Sequence, residues 1–224
     1  MSINKFNSNS KLDVIIQSID LENPDDLRRM AKVYEDSFSE HFLGHMGRKF
    51  LELFISEFVN TSGNYGYVAK FKDEPVGLLL ATTLDKPFNK FYKKHFISIA
   101  RITVSRYFRD QFIRKHLGER LGHINNALKA LFFRGNASSS AQAGEVGTLI
   151  PPRLLAIAVD NKYRGHSVAD ELTQQFCLDM KDIGFKKVAL SALPWNQRAI
   201  GFYKKDGWIE ESSSESSIGF YRLI

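Results

Sequence analysis

Six uncharged apolar residues in a row, Leu154-Leu155-Ala156-Ile157-Ala158-Val159, constrain the fold more than any other stretch of the chain. A run this short and this apolar predicts a central strand covered on both faces. Four residues later Arg164-Gly165-His166-Ser167-Val168-Ala169 opens a helical pattern, with Val168, Leu172, Phe176, Met180 and Ile183 as its buried stripe and Gly184 as its stop. A strand, a turn of small residues and a helix start present successive backbone N–H groups, aided by the helix dipole, to an anion. The arrangement is a pyrophosphate cradle. The two common nucleotide loops do not fit, because one needs a Lys-Ser/Thr pair and the other G-x-G-x-x-G with an acidic partner about twenty residues on.

The remaining pattern predicts an α/β chain. Residues 14–19 read as a β-branched strand, and Asn23-Pro24-Asp25-Asp26 supplies a cap, a first-turn proline and two carboxylates for a helix to about 38. A second helix over 47–59 buries Phe50, Leu51, Phe54, Ile55 and Phe58. The turn between the two helices is rich in titratable groups. Residues 67–71 and 76–82 form a hairpin, and 188–193, 208–211 and 219–223 are further strands. Asn196 opens a helix that Gly207 stops. The order is β-αα-ββ-insertion-β-α-β-α-ββ, one domain over 1–224.

The insertion, 86–144, holds the charge. Residues 86–134 carry six Lys and six Arg against Asp110 and Glu119, so this segment stands at +10, whereas the rest has nineteen cations against twenty-three carboxylates. The net charge of +6 is therefore a property of one segment, in which apolar residues alternate with basic ones at helical spacing. Two or three short helices are expected between Pro87 and Phe133, and residues 135–144, rich in Ser, Ala and Gln, read as a mobile loop. With 43% hydrophobic and 25% charged residues over 224 positions, the chain is neither a disordered polymer nor a fibre. Its single cysteine, Cys177, excludes an internal disulfide and reads as a reduced core residue. The Asn/Ser-rich start has no apolar core, and no stretch reaches membrane-spanning length, so a cytoplasmic protein is expected.

A second motif follows the cradle: Asn196-Gln197-Arg198-Ala199-Ile200-Gly201-Phe202-Tyr203-Lys204-Lys205-Asp206-Gly207-Trp208. Together the two segments resemble the GNAT superfamily of acyl-CoA-dependent N-acetyltransferases, the first its V-x-x-x-x-R-G-x-G-x-G/A signature and the second its N-x-x-A-x-x-F/Y-Y-x-x-x-G-F/W segment. The resemblance implies a mixed, mostly antiparallel central sheet with flanking helices and, here, a helical insertion between strands 3 and 4. It implies acetyl-CoA as acyl donor. Backbone of Ile157, Ala158 and Val159 would pair with the pantetheine arm, and the N–H groups of Arg164, Gly165, His166, Ser167, Val168 and Ala169 would hold the pyrophosphate. Asn196 would hydrogen-bond the pantetheine, and Tyr203 would protonate the departing thiolate. Ser167 departs from the pattern, which usually has Gly there; its side chain either crowds the phosphates or donates a hydrogen bond, and we expect it to be tolerated. His166, at a variable position, reads as an exposed loop residue.

The general base is not fixed by the motifs. The strand 154–159 has no ionisable residue, so Glu40 and His41, in the turn expected to line the acceptor side, are the candidates, with Glu35 and Glu145 behind them and ordered water as an alternative. The six His lack metal-ligand spacing, and Cys177 has no activating His. The expected reaction is acetyl transfer to a primary amine by direct attack; the alternative is a CoA-binding regulatory protein without catalysis. The insertion reads as a lid, as a wall of the acceptor pocket that attracts a phosphorylated acceptor, or as an interfacial element. Phe96, Ile97, Arg101, Ile102, Arg106, Phe108, Arg109 and Phe112 would alternate on anionic lipid, as for a peripheral membrane enzyme acting on a lipid-linked glycan. No nucleic-acid-binding module accompanies the charge, and the oligomeric state is not indicated. The layout is similar to bacterial GNAT proteins associated with surface-polysaccharide synthesis, which implies an amino sugar or a nucleotide-linked amino sugar as acceptor.

Overall fold

Seven strands form one sheet in the order β1-β2-β3-β4-β5-β7-β6 in the computed structural model, which describes residues 11–39, 43–108, 110–111 and 150–224. The elements are β1 (Ile15–Ser18), α1 (Pro24–Ser37), α2 (Arg48–Val59), β2 (Asn64–Phe71), β3 (Glu74–Thr82), α3 (Asn89–Tyr107), β4 (Arg153–Val159), α4 (Val168–Asp182), β5 (Lys187–Ala192), α5 (Gln197–Lys205), β6 (Ile209–Ser213) and β7 (Ile218–Leu223). Every neighbouring pair is antiparallel except β4 and β5, which run parallel.

Local chemistry accounts for the boundaries. The Asn23 side chain accepts from the N–H groups of Asp25 and Asp26 at 3.1 and 3.3 Å, and Pro24, which has no N–H to satisfy, takes the first helical position of α1. The β2–β3 turn places both Lys72 and Asp73 at positive φ, the conformation whose twist matches paired strands. Alternation then sorts the side chains. Tyr67, Ala69, Leu79 and Ala81 join a core with Leu172, Phe176 and Met180 of α4 and with Ile200 and Tyr203 of α5. Val68, Leu78 and Leu80 join the opposite core with Met30, Phe50, Phe54 and Phe91 of α1 to α3.

The first part of the insertion differs from its expectation. α3 runs unbroken for 19 residues, longer than the short helices expected between 87 and 133, a span described here only as far as residue 111. No Gly or Pro interrupts 89–107, so nothing ends the helix early. The strand at 154–159 is also less covered than its composition implies, because Leu155 remains 36% exposed. Glu40, His41, Arg109, Phe112, Glu145 and the stretch 135–144 lie outside the described residues.

Candidate functional site

The site begins where β4 leaves β5. Arg153 pairs with Ala189 and Leu154 with Leu190, while the Ala189 N–H donates to the Pro152 carbonyl at 2.8 Å. From Leu155 onward β4 has no partner on β5, although its other edge stays paired with β3 as far as Val159 opposite Gly77. β5 is meanwhile paired with β7 along its whole length. Backbone groups of residues 155–158 on that side therefore face a gap. At the same point Ala156 pairs with Leu80 and Leu154 with Ala81, so Leu155 is the extra residue of a β-bulge. Such a residue has backbone groups outside the ladder, available to an incoming group. Ile157 and Ala158 lie on the open edge, whereas the Val159 carbonyl already accepts from Arg164 Nε at 2.9 Å and from the Ser37 hydroxyl at 3.4 Å.

Beyond β4 the chain turns tightly. Asp160 accepts from the Lys162 N–H at 3.0 Å and is held by Arg29 at 2.8 Å. Gly165 has φ +84° and open space where a Cβ would stand. Ser167, at φ +62°, is left-handed immediately before α4, and its side chain makes no capping bond. The usual glycine thus has a backbone reason here, and the first-turn N–H groups of Val168 and Ala169 have no intrahelical acceptor. These features fit a diphosphate.

One side chain of the turn differs from expectation. His166 is buried, not exposed, and its carbonyl accepts from the Leu12 N–H at 3.3 Å, because the segment before β1 packs on the turn. The Arg164 guanidinium points back to Val159 and to the Ser37 hydroxyl at 3.2 Å, leaving only its backbone for the cradle. Burial, then the neighbouring Arg198 on the first turn of α5, lowers the affinity of Arg164 for its proton. An anion beside this pair relieves their repulsion. Glu171, on the first turn of α4, is offset by Lys11 at 2.6 Å.

On the other side of the gap α5 carries Asn196 and Tyr203. The Asn196 side-chain oxygen accepts from the Ala199 N–H at 3.1 Å and caps the helix, so its NH2 group is what remains for a ligand. Tyr203 is 5% exposed and packed among the rings of Phe202, Trp208 and Phe220. Burial pushes its phenol pKa well above the ordinary value, with Asp206 adding to the effect. Asp206 accepts from Trp208 Nε1 at 3.1 Å and from Arg222 at 3.0 Å; desolvation raises its carboxyl pKa against the opposing pull of Arg222. The Cys177 thiol, in the core of α4, is pushed by burial to about 11.

A cleft of about 330 Å³ is lined by Leu155 and Arg153 together with Thr82, Asp85, Phe88 and Tyr92. Leu155 thus touches both the gap and the cleft. Asp85 is an exposed carboxylate in this lining, 4.0 Å from Lys86. Sequence reasoning missed Asp85, Arg153 and Leu155: Asp85 precedes Lys86-Pro87 and reads as a turn former, and an apolar run contains no signal for a bulge. Of the base candidates, Glu35 is committed to Arg48 at 3.0 Å. His45, from the same turn, contacts Asp110 at 2.8 Å and the Ser39 carbonyl. Among the described residues no three metal-ligating side chains cluster, and no helix is long and apolar enough to cross a membrane.

Residues 144–208 match the family model described as the acetyltransferase (GNAT) family. No curated protein sequence matches the chain. Among solved structures, PH1933 from Pyrococcus horikoshii OT3 is 15% identical with a TM-score of 0.55, covering 95% of this chain and 99% of its own. The PaiA N-acetyltransferase from Thermoplasma acidophilum in complex with coenzyme A is 12% identical with a TM-score of 0.53, covering 95% and 100%. Aminoglycoside 6'-acetyltransferase type Ii is 11% identical with a TM-score of 0.54, covering 93% and 96%. These likenesses establish the fold.

Proposed function

We infer that this chain, of the GNAT acetyltransferase family by its 144–208 segment and its fold, is an acetyl-CoA-dependent N-acetyltransferase acting on a primary amine by direct attack. The observation that carries the reading is the opening between β4 and β5, with the bulge at Leu155 at its apex and the left-handed turn at Gly165 and Ser167 at its mouth. The backbone of 155–158 receives the pantetheine arm as an added strand would. The turn and the start of α4 receive the diphosphate. The amine nitrogen attacks the thioester carbonyl carbon, the bulged backbone at Leu155 stabilises the developing oxyanion, the C–S bond breaks and Tyr203 gives its proton to the thiolate sulfur. Tyr203 is protonated at neutral pH because an ordinary phenol pKa is about 10, and burial shifts it further upward.

Asp85 is the carboxylate of the acceptor cleft, suited to attract an ammonium and to take its proton directly or through water. Arg153 and Lys86 line the same cleft and suit an anionic group on the acceptor. That pairing supports an amine that also bears a phosphate, and a nucleotide-linked amino sugar is such a molecule. Glu40 and His41 remain alternative bases. A reduced, buried cysteine and an acyl-CoA donor support a cytoplasmic location.

Thiol release from acetyl-CoA, measured across amines that include phosphorylated amino sugars, tests this reading. Turnover is expected with at least one amine, and Tyr203→Phe is expected to lower kcat about 10²–10⁴-fold with little change in the KM for acetyl-CoA. Full turnover of that variant removes the assigned role. Tight acetyl-CoA binding with no transfer to any amine supports a CoA-binding regulatory protein instead.

A further inference from the structure

A cavity of about 450 Å³ lies at the other end of α4 from the diphosphate turn, where Tyr65 and Tyr67 of β2 meet Asp179, Asp182 and Ile183. Asp179 and Asp182 stand three residues apart in the last turn of α4, on one side of the helix and at its negative dipole end. Carboxylates placed there gain from a nearby cation. Asp179 accepts from the Gln175 amide at 2.7 Å, yet among the described residues no Lys, Arg or His lines the cavity. Lys181, between the two in sequence, is exposed and turned away from the lining. Tyr67 adds an independent demand. It is 3% exposed, and its hydroxyl makes no hydrogen bond. Asp179 lies outside hydrogen-bonding geometry but close enough that, after burial, it raises the phenol pKa, so the hydroxyl stays neutral beside the carboxylate. A buried hydroxyl without a partner is costly. Val59, Ile183 and the Tyr65 ring add apolar surface to the wall.

We propose that this cavity binds a small primary alkylamine in its ammonium form, with the Tyr67 oxygen and the Asp179 and Asp182 carboxylates accepting from the ammonium N–H groups and the alkyl chain on Val59, Ile183 and the Tyr65 ring. The lining selects this class. It offers negative charge and no cationic donor, so an anionic ligand is repelled. A calcium ion takes about six to eight oxygen ligands, whereas among the described residues no three metal-ligating side chains cluster. Aromatic faces beside the carboxylates attract an ammonium, and the apolar wall favours one that carries an alkyl chain. The cavity is separate from the acceptor cleft, whose carboxylate is Asp85, and the two share no lining residue. A hydrogen bond joins them, from the Thr82 hydroxyl in the cleft to the Asn64 side chain in the cavity at 2.6 Å. Amine binding here does not rest on the acyl-transfer reading.

Titration of the full chain with n-butylammonium chloride, followed by amide-resolved NMR, tests the proposal, with n-butanol as the uncharged control. Shifts are expected at Tyr65, Gly66, Tyr67 and residues 179–183, with a Kd of about 1 mM. The same concentrations of n-butanol are expected to leave those amides unmoved. Tyr67→Phe is expected to weaken binding about fivefold, and Asp179→Asn and Asp182→Asn about tenfold each. Asp182 is exposed, so its variant keeps the fold even if Asp179→Asn does not. Asp85→Asn is expected to leave the shifts at 179–183 unchanged, which separates this cavity from the acceptor cleft. No shift at these amides up to about 50 mM amine, equal shifts with n-butanol, or unchanged affinity in both Tyr67→Phe and Asp182→Asn overturns the proposal. Shifts confined to residues 82–92 assign the amine to the acceptor cleft alone and overturn it equally.

Discussion

Ser167 holds a left-handed φ of +62° without making a capping bond. A non-glycine residue in this region costs roughly 1–2 kcal/mol, of which a glycine replacement returns part to the greater entropy of the unfolded chain. Denaturant unfolding of Ser167→Gly is accordingly expected to give a gain of about 0.5 kcal/mol; a loss would mean that the hydroxyl holds something the backbone does not. Two residues carry pH predictions. With the Cys177 thiol at about 11, only about one part in a thousand is thiolate at pH 8, so a disulfide reagent is expected to react far more slowly with native than with unfolded protein. The raised pKa of Tyr203 places loss of its proton above the ordinary phenol range. The pH profile of kcat/KM is therefore expected to rise as the amine deprotonates and to show no fall from Tyr203 below about pH 10.

Among the elements, α2 anchors the N-terminal half of the site. Phe50, Phe54 and Phe58 lie on its buried side, and Phe54 also meets Phe88 and Phe91 of the insertion. Phe54→Ala is expected to cost about 3–5 kcal/mol in denaturant unfolding, and to loosen the start of α3 because Phe88 and Phe91 both pack on this ring. Elements with a clear period or cap were legible in the sequence: Asn23 before α1, the stripe Val168, Leu172, Phe176 and Met180 of α4, and Gly184 and Gly207 as stops. The missed features are those that local pattern does not encode. Six apolar residues in a row have no alternation, so neither the bulge at Leu155 nor the end of pairing at Leu154 can be read from 154–159. Both belong to long-range pairing, the bulge to β4 with β3 and the end of the ladder to β4 with β5. The cleft residues Asp85 and Arg153 are far apart in sequence and meet only through β3 and β4 pairing, Thr82 opposite Arg153.

Across the whole molecule, charge and topology divide the work. The cradle and the opening of the sheet come from the C-terminal half, the cleft from the junction of β3, α3 and β4, and the positive charge from the insertion between them. The central claim is that the gap between β4 and β5 receives an acyl-CoA. Hydrogen–deuterium exchange of the full chain with and without acetyl-CoA tests it most directly, because an added strand and a bound diphosphate slow exchange of the amides they engage. The account predicts protection in peptides covering 155–158 and 164–169 and little change in α3. Unchanged exchange in those two segments at saturating acetyl-CoA, or protection confined to another part of the chain, would contradict it.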